Sequence, residues 1–212
     1  IQVLCPSKKG ELGTAEMNFR LQKALNPKSA DKAEIEIASK TFRIGDKVMQ
    51  IKNNYDITWI RDDGEQGSGI FNGDIGIIDS IDRKSRTLIV IFDDKTAKYT
   101  YEYATDLDFA YAVTVHKSQG NEFDCVIIPM FQGPPQLYYR NLLYTAVTRA
   151  KKTLVLVGNP KTVEYMVQNN RRTKRYSGLN NRYCAFVTTK AKYAFDSIQQ
   201  QSDKNDRHNH HK

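Results

Sequence analysis

The sequence predicts an α/β fold: a parallel sheet covered by helices, interrupted by a small antiparallel β barrel. Three observations carry that expectation. Continuous apolar runs alternate with helical patterns: IQVL at 1–4, AYAVTV at 110–115, DCVIIPM at 124–130 and TLVLVG at 153–158. Runs without polar alternation mark strands covered on both faces, as parallel sheets are. From Phe42 to Tyr103 the period falls to two, in short segments punctuated by Gly, Asp and Lys, the pattern of a small barrel. Finally, two of the apolar runs are joined by HKSQGNE, residues 116–122, which has almost nothing to bury.

Ile1–Leu4 reads as a strand and PSKKGELG as the loop after it. Thr14 is placed to cap a helix running to about Leu25, which Asn26-Pro27 stops. Residues 28–40 are charged and fit no single pattern. KVMQIKN, GDIGIIDSID, RTLIVIFDD and AKYTYEY supply four barrel strands, and DITWIRDDGEQGSG at 56–69 reads as a long mobile loop. A helix is expected across YYRNLLYTAVTRA, 138–150, with Leu142, Leu143, Ala146, Val147 and Ala150 on one face. After TLVLVG another helix opens at Asn159-Pro160, with Asn as cap and Pro at the first helical position. The expected organisation is 1–40 as the first part of the α/β domain, 41–107 as the barrel, and 108–177 as the rest of the α/β domain. Residues 178–212 read as a polar, disordered tail carrying His208, His210 and His211.

The chain has 212 residues, 40% hydrophobic and 10% aromatic, enough to bury a core. Its formal net charge of +8 favours acidic partners such as nucleic acid. Cys5, Cys125 and Cys184 form no C-x-x-C pair and read as small core residues of a reducing compartment. No apolar run approaches the ~20 residues needed to span a bilayer, so no membrane partner is expected. The chain opens on a strand pattern without Met, which suggests part of a longer polypeptide.

Ligands of open α/β sheets bind at loops leaving the carboxyl ends of strands. Thr114, His116, Lys117, Ser118 and Gln119 follow such a strand and offer hydroxyls, an ammonium and backbone N–H groups suited to phosphate oxygens. Gly120 permits close backbone approach, and Glu122 can accept from a sugar hydroxyl. A solvated loop whose hydroxyls cap a short helix would have the same composition. Arg149, near Thr145, fits either a surface arginine or one reaching a phosphate across a domain boundary. NNRRTKRY, with Arg171, Arg172, Lys174, Arg175 and Tyr176, could follow a phosphate backbone or simply be solvated.

Together, AYAVTVHKSQGNEFDCVI and LLYTAVTRAKKTLVLVG resemble motifs V and VI of superfamily 1 helicases, in the RecD-like branch of exodeoxyribonuclease V alpha-chain relatives. CPSKKGELGTAEMNFRLQKALNP is similar to that branch's motif IV region, and FRIGDKVMQIKNNY with FNGDIG to its SH3-like barrel. The resemblance covers residues 1 to about 170. It implies the second RecA-like domain of a DNA helicase, with Arg149 as arginine finger and Gln119, Gly120 and Glu122 facing the nucleotide. Thr114, His116, Lys117 and Ser118 would lie on the single-stranded DNA path. Asn72, with Gly73, would act near the duplex junction, and Lys8 and Lys9 at DNA phosphates. It further implies 5′–3′ movement, a role in repair or recombination, and a bacterial cytoplasmic setting.

No G-x-x-x-x-G-K-[ST] occurs, and no acidic pair follows a strand where it would serve as Walker B. ATP and Mg²⁺ are therefore expected to be held mainly by an N-terminal RecA-like domain outside this chain, and the chain alone to be inactive. No metal site of its own is expected. The competing reading is a non-catalytic nucleic-acid-binding or docking module on the same scaffold.

Overall fold

The computed structural model describes residues 1–131, 133, 136–170 and 186–187. The chain divides into two compact units, 1–171 and 172–212, and the second contributes only Phe186 and Val187 to the described residues. In chain order come β1 (Gln2–Cys5), α1 (Thr14–Leu25), β2 (Glu34–Ile37), β3 (Lys40–Arg43) and β4 (Lys47–Gln50). β5 (Asn54–Arg61), β6 (Gln66–Ile70), β7 (Ile75–Asp82), β8 (Thr87–Phe92) and β9 (Lys95–Thr100) follow. A short 3₁₀ turn, Tyr103–Asp106, leads to β10 (Leu107–Phe109) and β11 (Ala112–Thr114). The last elements are β12 (Phe123–Met130), α2 (Arg140–Val147), β13 (Ala150–Gly158) and α3 (Pro160–Gln168).

Four strands form a parallel sheet in the order β11-β1-β12-β13. Successive residues of a strand face opposite sides, and the packing follows that alternation. Leu4, Val113, Val126, Ile128 and Met130 pack with Leu142, Leu143 and Ala146 of α2 and Met166 of α3. Val3, Cys5 and Ala112 pack with Met17 and Leu21 of α1 on the other side. Burial pushes the Cys5 thiol up to about 12, which leaves it a small unreactive core residue.

Seven antiparallel strands form the inserted sheet, ordered β10-β4-β7-β8-β9-β5-β6. Leu107 and Ile70, from the two ends of that order, share one core with Val48, Ile78, Leu88 and Tyr99, so the sheet curls round a single interior. Tyr99 is fully buried and its hydroxyl donates to Gln50 Oε1 at 2.9 Å, the partner a buried phenol requires. The α/β fold interrupted by a barrel is as the sequence predicts.

The barrel is tied to the parallel-sheet part through Asp46, which has no exposed surface. Its carboxylate accepts from Gln22 Nε2 (2.7 Å), Asn26 Nδ2 (2.7 Å), Tyr111 Oη (2.8 Å) and the Arg43 N–H (2.8 Å). A buried charge is tolerated when its hydrogen-bonding capacity is filled in this way.

Several expectations are corrected. Residues 56–69 are not a loop but most of the β5–β6 hairpin, turning at Gly64 with φ +87°. Their sequence carries no clear alternation because Ile57 is the one fully buried side chain of β5. Trp59 instead lies beneath Arg61 and Lys95, whose cations sit 5.1 and 4.8 Å from its ring, and Gly67 leaves it room where a Cβ would collide with the indole. Residues 34–40 of the stretch without pattern pair, together with 41–43, as the β2–β3 hairpin. Gly13, not Thr14, caps α1, and Thr14 is its first residue. Ala150 begins β13 rather than closing the face of α2. β13 is an edge strand, and Leu154–Val157 remain 37–46% exposed despite their apolar run. Asn159 caps α3 as predicted, accepting from Lys161 N at 2.9 Å.

Among the described residues, no helix is long and apolar enough to cross a membrane. Cys184, the basic run 171–176 and the three C-terminal histidines lie outside the described residues.

Candidate nucleotide and nucleic-acid site

Residues 115–122 connect two parallel strands and therefore cannot form a hairpin turn. Thr114 is level with Cys5, whereas Val126 is level with Gln2 and β12 begins three residues earlier still, at Phe123, so the connection runs back along the sheet for roughly 20 Å at ~3.3 Å per residue. Its first half lies beyond the carboxyl end of β11. Its second half reaches the amino ends of β12 and β13, so one short segment presents two chemically different surfaces.

The first half is folded by its own hydroxyls. Val115 N donates to Cys5 O (3.0 Å), Ser118 N to Thr114 O (3.1 Å) and Lys117 N to Thr114 Oγ1 (3.3 Å). Ser118 is fully buried and its Oγ donates to Val115 O at 2.8 Å. The expectation that Ser118 faces DNA is thereby corrected, because its hydroxyl is spent on the shape of the turn. His116 and Gln119 are exposed and Lys117 is half-buried. Burial first, then the positive charge of Lys8, lowers the pKa of Lys117; Asp108 opposes the shift and Lys40 adds to it. Lys8 and Lys117 thus share one electrostatic neighbourhood. Lys9 is exposed in the same loop, where Ser7 Oγ donates to its carbonyl at 2.8 Å. Lys40 is itself ion-paired with Asp108 at 3.0 Å.

The second half meets Arg149. Gly120 has φ +91° and open space where a Cβ would stand, so only its backbone conformation demands glycine. Arg149 lies in the turn between α2 and β13. Its Nη1 donates to Asn121 O (3.1 Å), Nε to Thr145 O (3.2 Å) and Nη2 to Thr148 Oγ1 (3.3 Å), while its own carbonyl accepts from Phe123 N (2.8 Å). Every acceptor is neutral, and among the described residues no carboxylate forms an ion pair with it. The guanidinium is held in place with its charge unspent. Exposed Glu122 faces Lys151 at 3.8 Å, a solvent-screened pair that a stronger partner displaces at little cost.

Asn121, which the sequence did not single out, also donates from Nδ2 to Gly73 O at 3.4 Å. That bond joins the connection to the FNG turn of the barrel, where Asn72 is exposed. A groove of about 660 Å³ opens beside it, between residues 121–123 and the barrel segments 74–77 and 91–95. Among the described residues, no group of three or more His, Cys, Asp or Glu side chains is arranged to hold a metal ion.

The ATP-dependent RecD-like DNA helicase SH3 domain model matches residues 17–92, and the UvrD-like helicase C-terminal domain model matches 109–157. The chain is 33% identical over 159 residues to the ATP-dependent RecD2 DNA helicase of Deinococcus radiodurans, covering 75% of this chain and 20% of that protein. It is 30% identical over 185 residues to the RecBCD enzyme subunit RecD of Mycobacterium tuberculosis, covering 85% of this chain and 28% of that one. A solved structure of Pif1 helicase from Bacteroides, in complex with ADP-AlF3 and single-stranded DNA, is similar over 88% of this chain and 45% of that chain, at 16% identity and a TM-score of 0.47. The chain belongs to the RecD-like helicases and carries that family's SH3 domain and C-terminal helicase domain. It spans about a fifth to three tenths of the length of these two relatives.

Proposed function

We propose that this chain is the second RecA-like motor domain, with its barrel, of a helicase that couples ATP hydrolysis to 5′–3′ movement along single-stranded DNA in repair or recombination in the bacterial cytoplasm. The observation that carries the proposal is Arg149, fixed by three neutral acceptors and carrying an uncompensated positive charge. An arginine with no structural ion pair is available to an anion, and transferring phosphoryl groups are stabilised by such a residue.

ATP with Mg²⁺ would supply the phosphoanhydride bond to be cleaved, held mainly by an N-terminal RecA-like domain. In this chain Arg149 points its charge at the γ-phosphate, Glu122 accepts from the ribose, and Gln119 and Gly120 line the nucleotide. Thr114, His116 and Lys117, with Lys8 and Lys9, hold the single strand, and Asn72 acts near the duplex junction. Residues 115–122 join these two sets through continuous backbone, so domain closure on nucleotide moves the strand-holding end. The chain by itself does not hydrolyse ATP.

Strand displacement by the full reading frame that contains this chain tests the direction, using duplexes with a single 5′ or 3′ tail. ATP-dependent displacement from the 5′ tail alone is expected. Displacement from the 3′ tail alone, or none from either, would sink the proposal.

A further inference from the structure

Beside Asn72 the barrel carries an aromatic pair that the proposed mechanism does not use. Tyr55 is 66% exposed and Phe71 is 41% exposed. Their ring centroids are 5.7 Å apart at an interplanar angle of 75°. Two large aromatic side chains held edge to face at the surface contribute little to a core, because much of their area remains in water. What they present is π surface.

The pair is held by the turns around it. Phe71 N donates to Asp74 Oδ2 (2.8 Å), Asn72 N to Asn53 Oδ1 (2.9 Å) and Gly73 N to Gln50 O (2.9 Å). Gly69, at φ +97°, lies against the Phe71 ring, and a Cβ there would stand 3.1 Å from Phe71 Cζ. Phe71 is thus seated over a glycine that gives it room, between two pinned turns. The rim of the pair carries the amides of Asn53 and Asn72 and the Asp74 carboxylate, and exposed Lys52 is ion-paired with Asp106 at 2.8 Å. Through Gly73 the platform is bonded to Asn121, and through Asn121 to Arg149.

We infer that Tyr55 and Phe71 form a nucleobase-stacking site, with Asn72 and Asn53 placed at the base edges. Aromatic faces stack on any base, carboxamides supply donors and acceptors to its edges, and a chain of net charge +8 suits an anionic nucleic-acid ligand. A protein partner is disfavoured by the rim, which offers amides rather than further apolar surface. The inference rests on the helicase reading for its setting but not for its chemistry. The base comes from single-stranded DNA or from the adenine of ATP, since the platform adjoins the segment that serves both.

The test uses the full reading frame with a single strand of about twenty nucleotides containing 2-aminopurine, and separately ATP, for the unsubstituted protein and for Tyr55→Ala, Phe71→Ala, Tyr55→Phe and Phe71→Leu. Stacking on aromatic side chains predicts that each alanine variant weakens binding about 5-fold to 100-fold and reduces 2-aminopurine quenching. Tyr55→Phe keeps both, whereas Phe71→Leu loses quenching while keeping the fold. A loss confined to DNA identifies a DNA base, and a loss confined to ATP affinity identifies adenine. Unchanged binding of both ligands by folded alanine variants overturns the inference, as does Phe71→Leu behaving like the unsubstituted protein. If instead the alanine variants lose binding but the unsubstituted protein shows no DNA-stimulated ATP turnover, the stacking site stands and the helicase reading falls.

Discussion

Arg149 Nη1 lies 3.1 Å from the main-chain oxygen of Asn121, and the side chain of that same asparagine reaches Gly73 O at 3.4 Å. One residue therefore touches the arginine proposed for phosphoryl transfer and the barrel turn proposed for DNA. The bond to the arginine uses backbone and survives any substitution that leaves the chain in place. The bond to the barrel uses the side chain and does not.

Asn121→Ala removes a single long, neutral hydrogen bond, and such bonds contribute about 0.5–1.5 kcal/mol. The 212-residue chain should therefore lose about 1 kcal/mol or less in urea unfolding. A loss above about 3 kcal/mol would mean that Asn121 is a structural keystone rather than a link.

Asp46 is the opposite case. Asp46→Ala leaves Gln22, Asn26 and Tyr111 without their buried acceptor, and each orphaned polar group costs about 1–3 kcal/mol. A destabilisation of about 3 kcal/mol or more is expected, from a total that for domains is about 5–15 kcal/mol. Urea midpoints shifted by less than those of Asn121→Ala would contradict the anchoring role.

How much of this was legible in the sequence depended on what specified each part. The parallel sheet showed because Leu4, Val113, Val126 and Ile128 sit in uninterrupted apolar runs. The connection showed because its residues 116–122 are polar between two buried apolar strands. β5 and β6 did not show, since Ile57 is their only clear inward signal before Ile70, and Trp59 packs only part of its ring against the core while Arg61 and Lys95 cover the ring. Ser118 misled, because a hydroxyl that folds a turn and one that binds a ligand have the same sequence. Asn121 was invisible for a related reason: its role lies in contacts to residues 73 and 149, which no local pattern reports.

Lys117 gives a pH prediction. Its pKa is lowered by burial and by Lys8, so the ammonium that would hold phosphate is lost on raising pH earlier than an ordinary lysine at about 10.4. Lys8→Met removes the second cause and should move the Lys117 titration to higher pH, as followed by NMR of its ε-carbon. No movement, or movement to lower pH, would place Lys8 away from Lys117 in solution.

The central claim is that Arg149 acts on a transferring phosphoryl group. The most direct measurement is single-strand-stimulated ATP turnover by the full reading frame, unsubstituted and as Arg149→Ala, with DNA binding measured in both. Loss of an arginine finger lowers turnover about a thousandfold or more, so turnover should collapse while DNA binding stays within a few-fold. Equal turnover in the two proteins would contradict the account, and Arg149 would then be only the residue that fastens α2 to the connection.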